Sequence, residues 1–279
     1  METSDLFQDN RRFFSTNTDW KNFLCELEHS KQFIDQLSFL VFGRDMGIMR
    51  SSSGLRPIHT NQILQSATQT VQSMILCAEY GNIADVHILM RKLRDDLLFY
   101  LYIIVVRKNS DLLSTNNLSK QEKYIDDWAQ NNLSKLTIKK VIDSIIDSDE
   151  CKDLSLKFNL HDELKKIGHT LNNYTHGNGN LYYNRPFTYY SDHEISQLTA
   201  EMIHMLKYIL IAFIFCLTLL HPGYIMSSDY IDALELSMTP EEGSQYWVAP
   251  FISDFLNDNS DLLGKNALNY LRKRTSMKV

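Results

Sequence analysis

Apolar residues along most of this chain recur every three or four positions, the period of an α-helix that buries one face. In the stretch 20–42 they fall at Phe23, Leu24, Leu27, Phe33, Ile34, Leu37 and Leu40, and Gly43 supplies a stop. A second helical stretch covers 61–80 and ends at Gly81. The third carries Ile83, Val86, Met90, Leu93, Leu97, Leu101 and Ile104. Asn82 stands where a capping residue belongs, with Asp85 three residues on. Arg91 with Asp95 and Lys92 with Asp96 form i,i+4 pairs, and Arg107-Lys108 meets the negative end of the helix dipole. Shorter helices are expected at 120–130, 137–147, 160–175, 230–236, 248–256 and 262–272. The segments 44–60, 109–117 and 176–191 lose the period and collect Gly, Pro or polar residues, so they read as loops, and 109–117 as a lobe boundary.

The run 208–220 has no charge and ends at His221-Pro222. It is shorter than the ~20 apolar residues of a membrane span. Ile195, Leu198, Met202, Met205 and Leu206 lead into it at helical spacing. The stretch 192–220 therefore reads as one amphipathic helix, buried all round in its second half, and no membrane role is expected.

Composition agrees with an all-α fold. The 279 residues include only 10 Gly and 5 Pro, about half the usual share of Gly and about a third of that of Pro, which argues against a many-stranded β architecture. Lys and Arg number 28 against 34 Asp and Glu, a net charge of −6. Coating nucleic acid through bulk charge is excluded on that balance, whereas a local basic site is not. Cys25, Cys77, Cys151 and Cys216 lie far apart without a CxxC pair. That spacing gives neither a zinc finger nor a disulfide framework, and with a polar, acidic start in place of a secretory signal it suggests the cytoplasm. Walker loops, Gly-rich dinucleotide turns and GxSxG elbows are missing too, so no cofactor is expected.

The candidate chemistry lies on 160–176. Leu160, Leu164, Ile167, Leu171 and Tyr174 form an apolar face, with Asn159 as the expected cap. Lys165, His169, Asn172 and His176 form a second stripe beside it, at spacings 4, 3 and 4. A histidine that ends a helix, and exchanges its proton near neutral pH, suits general acid–base work; a solvated helix edge is the plainer use of such a row. The following loop carries Tyr182, Tyr183, Phe187, Tyr189 and Tyr190 around Arg185. Rings beside a guanidinium grip single-stranded RNA, or else pack the loop onto the bundle. His169 and His176 are two turns apart, about 10 Å along one helix, so they cannot share an ion, and no metal is expected.

The hexapeptide Leu171-Asn-Asn-Tyr-Thr-His176 resembles the signature of HEPN domains, all-helical modules common in bacterial toxins, abortive-infection proteins and RNases. Their motif runs Arg, a polar residue, three residues, then His. Asn172 and His176 match it, while Leu171 stands where the arginine belongs. The Arg91-Lys-Leu-Arg-Asp-Asp96 segment resembles the polar part of the family's preceding long helix.

The resemblance implies a helical bundle with added helices at both ends: an N-terminal extension over 1–60, a HEPN-like core over 61–221 and a C-terminal extension over 222–279. It also implies a homodimer that binds RNA in anti-phage defence or a toxin system, and a metal-independent endoribonuclease. In that reading His176 is the acid–base residue and Asn172 its orienting partner. Lys165, His169, Arg185, Tyr182 and Tyr183 would contact RNA and its phosphates. The missing arginine keeps a second reading open, a non-catalytic module that senses a partner protein or a nucleotide.

Overall fold

The computed structural model describes residues 3–44, 47–132 and 136–279. Among them the fold is all-α, with one small antiparallel hairpin. The helices are α1 (Thr3–Thr16), α2 (Thr18–Val41), α3 (Asn61–Glu79), α4 (Ile83–Lys108), α5 (Lys120–Ala129), α6 (Ile138–Ile146), α7 (Lys152–Phe158), α8 (Leu160–His176), α9 (Asp192–Leu220), α10 (Asp229–Glu235), α11 (Pro250–Asn259) and α12 (Ala267–Thr275). The helix pattern in the sequence anticipates all but α1 and α7. The stretch 44–60, expected to be a loop, instead contains β1 (Ile48–Ser51) and β2 (Gly54–Pro57), registered from Ile48 opposite Pro57 to Ser51 opposite Gly54. Strands of four residues with few buried side chains leave too short an alternation to register as a period. Asp45 and Met46, part of that expected loop, lie outside the described residues.

The chain forms two compact units. One gathers Met1–Gln36, Gln65–Asp96 and Asp162–Leu210; the other gathers Leu37–Leu64, Leu97–His161 and Ile211–Val279.

In the first unit, Phe14, Trp20 and Phe23 are fully buried, with the Phe14 and Trp20 rings 4.6 Å apart. The Trp20 indole N–H donates to the Ala78 carbonyl at 2.9 Å, so its one polar atom is satisfied inside the core. Gly81 adopts φ +69°, and a Cβ there would run into the Phe14 ring. Both facts demand glycine. Val86, Met90 and Leu93 of α4, Leu164, Ile167 and Leu171 of α8, and Ile195, Met202 and Leu206 of α9 are buried at the spacing their sequences predict. The expected pairs on α4 form, with Arg91 3.7 Å from Asp95 and Lys92 bonded to Asp96.

The second unit is organised around two carboxylates of α5. Glu122 accepts the Ser119 backbone N–H at 2.7 Å, while its own N–H donates to Ser119 Oγ at 3.2 Å, a reciprocal capping box. The same carboxylate accepts the Ser110 hydroxyl and lies 3.4 Å from Arg50 of β1. Asp126, one turn on, accepts the Ser52 backbone N–H at 2.9 Å.

The last residues are tied down: Arg272 Nε donates to the Val279 carbonyl at 2.7 Å, and Lys278 N–H to Tyr246 O at 2.9 Å. The segment 245–251 docks through backbone bonds between Ser227 and Trp247 (2.8 Å) and between Ala249 and Ile225 (2.9 Å).

Helix α9 is long and apolar enough to cross a bilayer, and 83% of its most apolar window is buried within the protein.

Candidate nucleic-acid interface

All the residues singled out for chemistry belong to the first unit, on α8 and the loop that follows it. Helix α8 begins differently from its expected cap. Asn159 adopts φ 51° and closes α7, its N–H donating to Ser155 O at 3.1 Å. An asparagine tolerates that left-handed conformation, so it ends one helix at the point where the next begins. At its other end α8 stops as predicted at Gly177, with φ +58°, and a Cβ there would run into the Tyr183 hydroxyl.

Lys165, His169 and His176 are exposed along α8. Asn172, between them in the stripe, is half-buried; its Oδ1 is shut off from solvent and accepts no hydrogen bond. The stripe is thus interrupted, with three side chains in water and one amide turned inward. Leu171, at the place of the family's arginine, is fully buried.

One turn before Asn172, Gly168 leaves room for a guanidinium. A Cβ at Gly168 would collide with Nη1 of Arg94, which is itself only 2% exposed. Nε and Nη2 of Arg94 both donate to Oδ1 of Asp95, at 2.8 and 2.6 Å. A buried guanidinium therefore packs on the motif helix from α4, with its charge answered by its sequence neighbour. Its signal in the sequence was a lone glycine inside a helical pattern, whose use only the packing reveals.

Two further residues escaped the sequence reading. His87 of α4 is almost fully buried and stacks on Tyr174 of α8, ring centroids 3.7 Å apart and nearly parallel. Its Nδ1 lies 2.7 Å from the Ile83 carbonyl, to which it donates. Burial outweighs that bond and brings the imidazole down to about 4, so it is neutral at pH 7. Burial, reinforced by the neighbouring Tyr190, Glu201 and Tyr182, pushes the Tyr174 hydroxyl up to about 12.

Asn184 is the second. Its Oδ1 accepts the Ala84 N–H at 2.8 Å, and its Nδ2 donates to Asp85 at 2.8 Å. The side-chain cap of α4 therefore comes from a residue about a hundred positions away, where the local pattern had pointed to Asn82. Asn82 contributes its backbone carbonyl, which accepts from Val86 at 3.1 Å.

The aromatic loop divides its rings between two uses. Tyr182 meets Tyr174 edge-on at 5.0 Å and has its hydroxyl 3.4 Å from Asn173 Nδ2. Phe187 stacks on Phe13 at 4.9 Å, its N–H donating to Asn10 Oδ1 at 3.0 Å. Arg185 lies over Tyr190 at 4.6 Å. Tyr183 and Tyr189 instead stand 59% and 64% exposed, together with Leu181. The inner rings fix the loop on the helices, and the outer ones face solvent.

No protein-family profile, curated protein or solved structure matches this chain. Among the described residues no group of His, Cys, Asp and Glu is placed to hold a metal ion.

Proposed function

We propose that this protein binds single-stranded RNA along α8 and the loop after it, on a HEPN-like helical scaffold used as a homodimer in bacterial anti-phage defence or a toxin system. The observation that carries the reading is a shared exposure. Lys165, His169 and His176 stand in solvent on one helix, and its C-terminal loop presents Tyr183 and Tyr189 with their rings uncovered. Cationic and imidazole groups answer phosphates and sugar hydroxyls, while exposed rings stack on bases regardless of sequence. The grip is local and so is compatible with a net charge of −6. In this reading His176 is the residue placed for acid–base work on a ribose hydroxyl, and Lys165 and Arg185 supply positive charge.

A second reading, the non-catalytic module that senses a partner protein or a nucleotide, is favoured by one observation. Leu171 is buried, and the nearby Arg94 is buried and committed to Asp95. Neither offers a guanidinium fork to a phosphate beside His176.

The test is fluorescence anisotropy with a labelled single-stranded RNA, followed by gel analysis of the same RNA. Tyr183→Ala and His176→Ala are expected to weaken binding, the former by about tenfold or more if the ring stacks on a base. Cleavage lost in His176→Ala selects the nuclease; binding with intact RNA selects the second reading. Equal affinity in wild type and both variants overturns the proposal.

A further inference from the structure

The second unit holds a cleft of about 730 Å³ between the hairpin turn, the segment 112–118 and α5. Its volume lies within the range of small-molecule sites. Asp126 lines it and is 95% buried, the remaining 5% being exposed. One carboxylate oxygen, Oδ2, accepts the Ser52 N–H at 2.9 Å. The other, Oδ1, is out of contact with solvent and accepts no hydrogen bond; the nearest cation, Arg56 Nε, is 3.8 Å away. Buried carboxylate oxygens seldom go without a donor.

The rest of the cleft is built and polar. Arg50, on its wall, is occupied by Glu122 at 3.4 Å and by the Asn116 carbonyl, so it braces the segment 112–118 and has little left for a phosphate. Gln130 Nε2 donates to Ser52 Oγ at 3.3 Å, fixing the turn against α5. Ser114, Thr115 and Asn117 add hydroxyl and amide groups that both donate and accept. No ring is found among the described lining residues.

These features narrow the ligand. Asp126 wants a donor, and with Arg56 already near its charge, a neutral hydroxyl suits it better than a second cation. Burial pushes the Asp126 carboxyl up, but bonds from Ser52 and Gln130 with the Arg56 charge hold it below the usual range, so it stays an ionised acceptor. Hydroxyls and amides on the remaining wall, with the opposite charges of Lys123 and Asp127, match a neutral molecule that carries several hydroxyl groups, each donor and acceptor in turn. We propose that this cleft binds a polyhydroxylated small molecule through a vicinal diol, one hydroxyl donating to the Asp126 carboxylate. A free saccharide and the ribose of a nucleoside share this chemistry.

The experiment uses the full chain and saturation-transfer NMR, followed by titration calorimetry. The probes are glucose, galactose, mannose, ribose, adenosine and 2′-deoxyadenosine. At least one diol-bearing probe is expected to bind, with Asp126→Asn weakening it by about tenfold or more, the loss of one charge-assisted bond. Preference for a hexose identifies a saccharide site; preference for adenosine over its 2′-deoxy analogue identifies a nucleoside site. Should Asp126→Asn fail to fold, Thr115→Val and Asn117→Ala of the segment 112–118 serve in its place, with the same expected loss. The proposal is overturned if none of the diol probes binds, if 2′-deoxyadenosine binds as well as the best of them, or if the folded variants bind like wild type.

Discussion

His87 makes this protein's stability depend on mild acid, and the effect can be worked from the structure. In the unfolded chain an imidazole takes up a proton near 6.5, whereas burial under Tyr174 delays that event to about 4 in the native state. Between those two values the unfolded state binds a proton that the native state refuses. Stability therefore falls as pH drops through that window and levels off below it. At about 1.4 kcal/mol per pH unit, the gap corresponds to about 3 kcal/mol, a large share of an ordinary domain's stability. His87→Gln removes the titration while keeping a side-chain donor for the Ile83 carbonyl. The assay is urea unfolding of both proteins, followed by tryptophan fluorescence, from neutral pH to about 4. The wild-type advantage should shrink by about 3 kcal/mol over that range. A difference between the two proteins that stays constant with pH refutes the reasoning, because His87 would then be protonating as freely as in the unfolded chain.

Other perturbations test the packing of the same helices. Gly168→Ala places a methyl group against the Arg94 guanidinium, and overpacking of this kind costs about 1–3 kcal/mol, read as a lowered urea midpoint. Leu171→Arg, which would complete the family motif, puts a charge at a fully buried position; unfolding by several kcal/mol is expected rather than new nuclease activity, as circular dichroism and an RNA-cleavage assay together would show. Asn184→Ala removes the remote cap of α4 and should cost about 1 kcal/mol, with faster amide exchange at Ala84. Ser119→Ala breaks the capping box of α5 at a similar cost of about 1 kcal/mol in thermal unfolding.

Much of the helical architecture could be read from periodicity, since each long helix carries its own buried stripe. Leu164, Ile167 and Leu171 are an example, buried as their spacing predicts. The hairpin escaped because its eight strand residues offer no repeated signal, and α7 because a helix of seven residues completes barely two turns. Site geometry was harder. Lys165, His169 and His176 emerge on the surface, but the spacing could not show that Asn172 turns its carbonyl inward. Caps and buried charges were least legible of all. Asn82 and Asn159 both have capping chemistry, yet Asn184 bonds to Ala84 from far along the chain and Asn159 takes a left-handed turn to end α7. Those choices depend on which segments meet in space, which is information that no local window contains. The same holds for Arg94, whose place against Gly168 follows from the packing of two helices.

The Glu122 hub bears on how this fold tolerates change in length. Ser110 and Ser119 end on one carboxylate, so the residues between them form a loop whose two feet are already pinned together. Lengthening such a loop costs little, about 0.6 kcal/mol for each doubling, because the entropy of closing it grows only with the logarithm of its length. Its middle also forms a wall of the Asp126 cleft. Insertions or deletions at 112–117 would therefore reshape what the cleft accepts while the helices stay as they are. The protein has, at that point, a region where recognition can diverge without renegotiating stability.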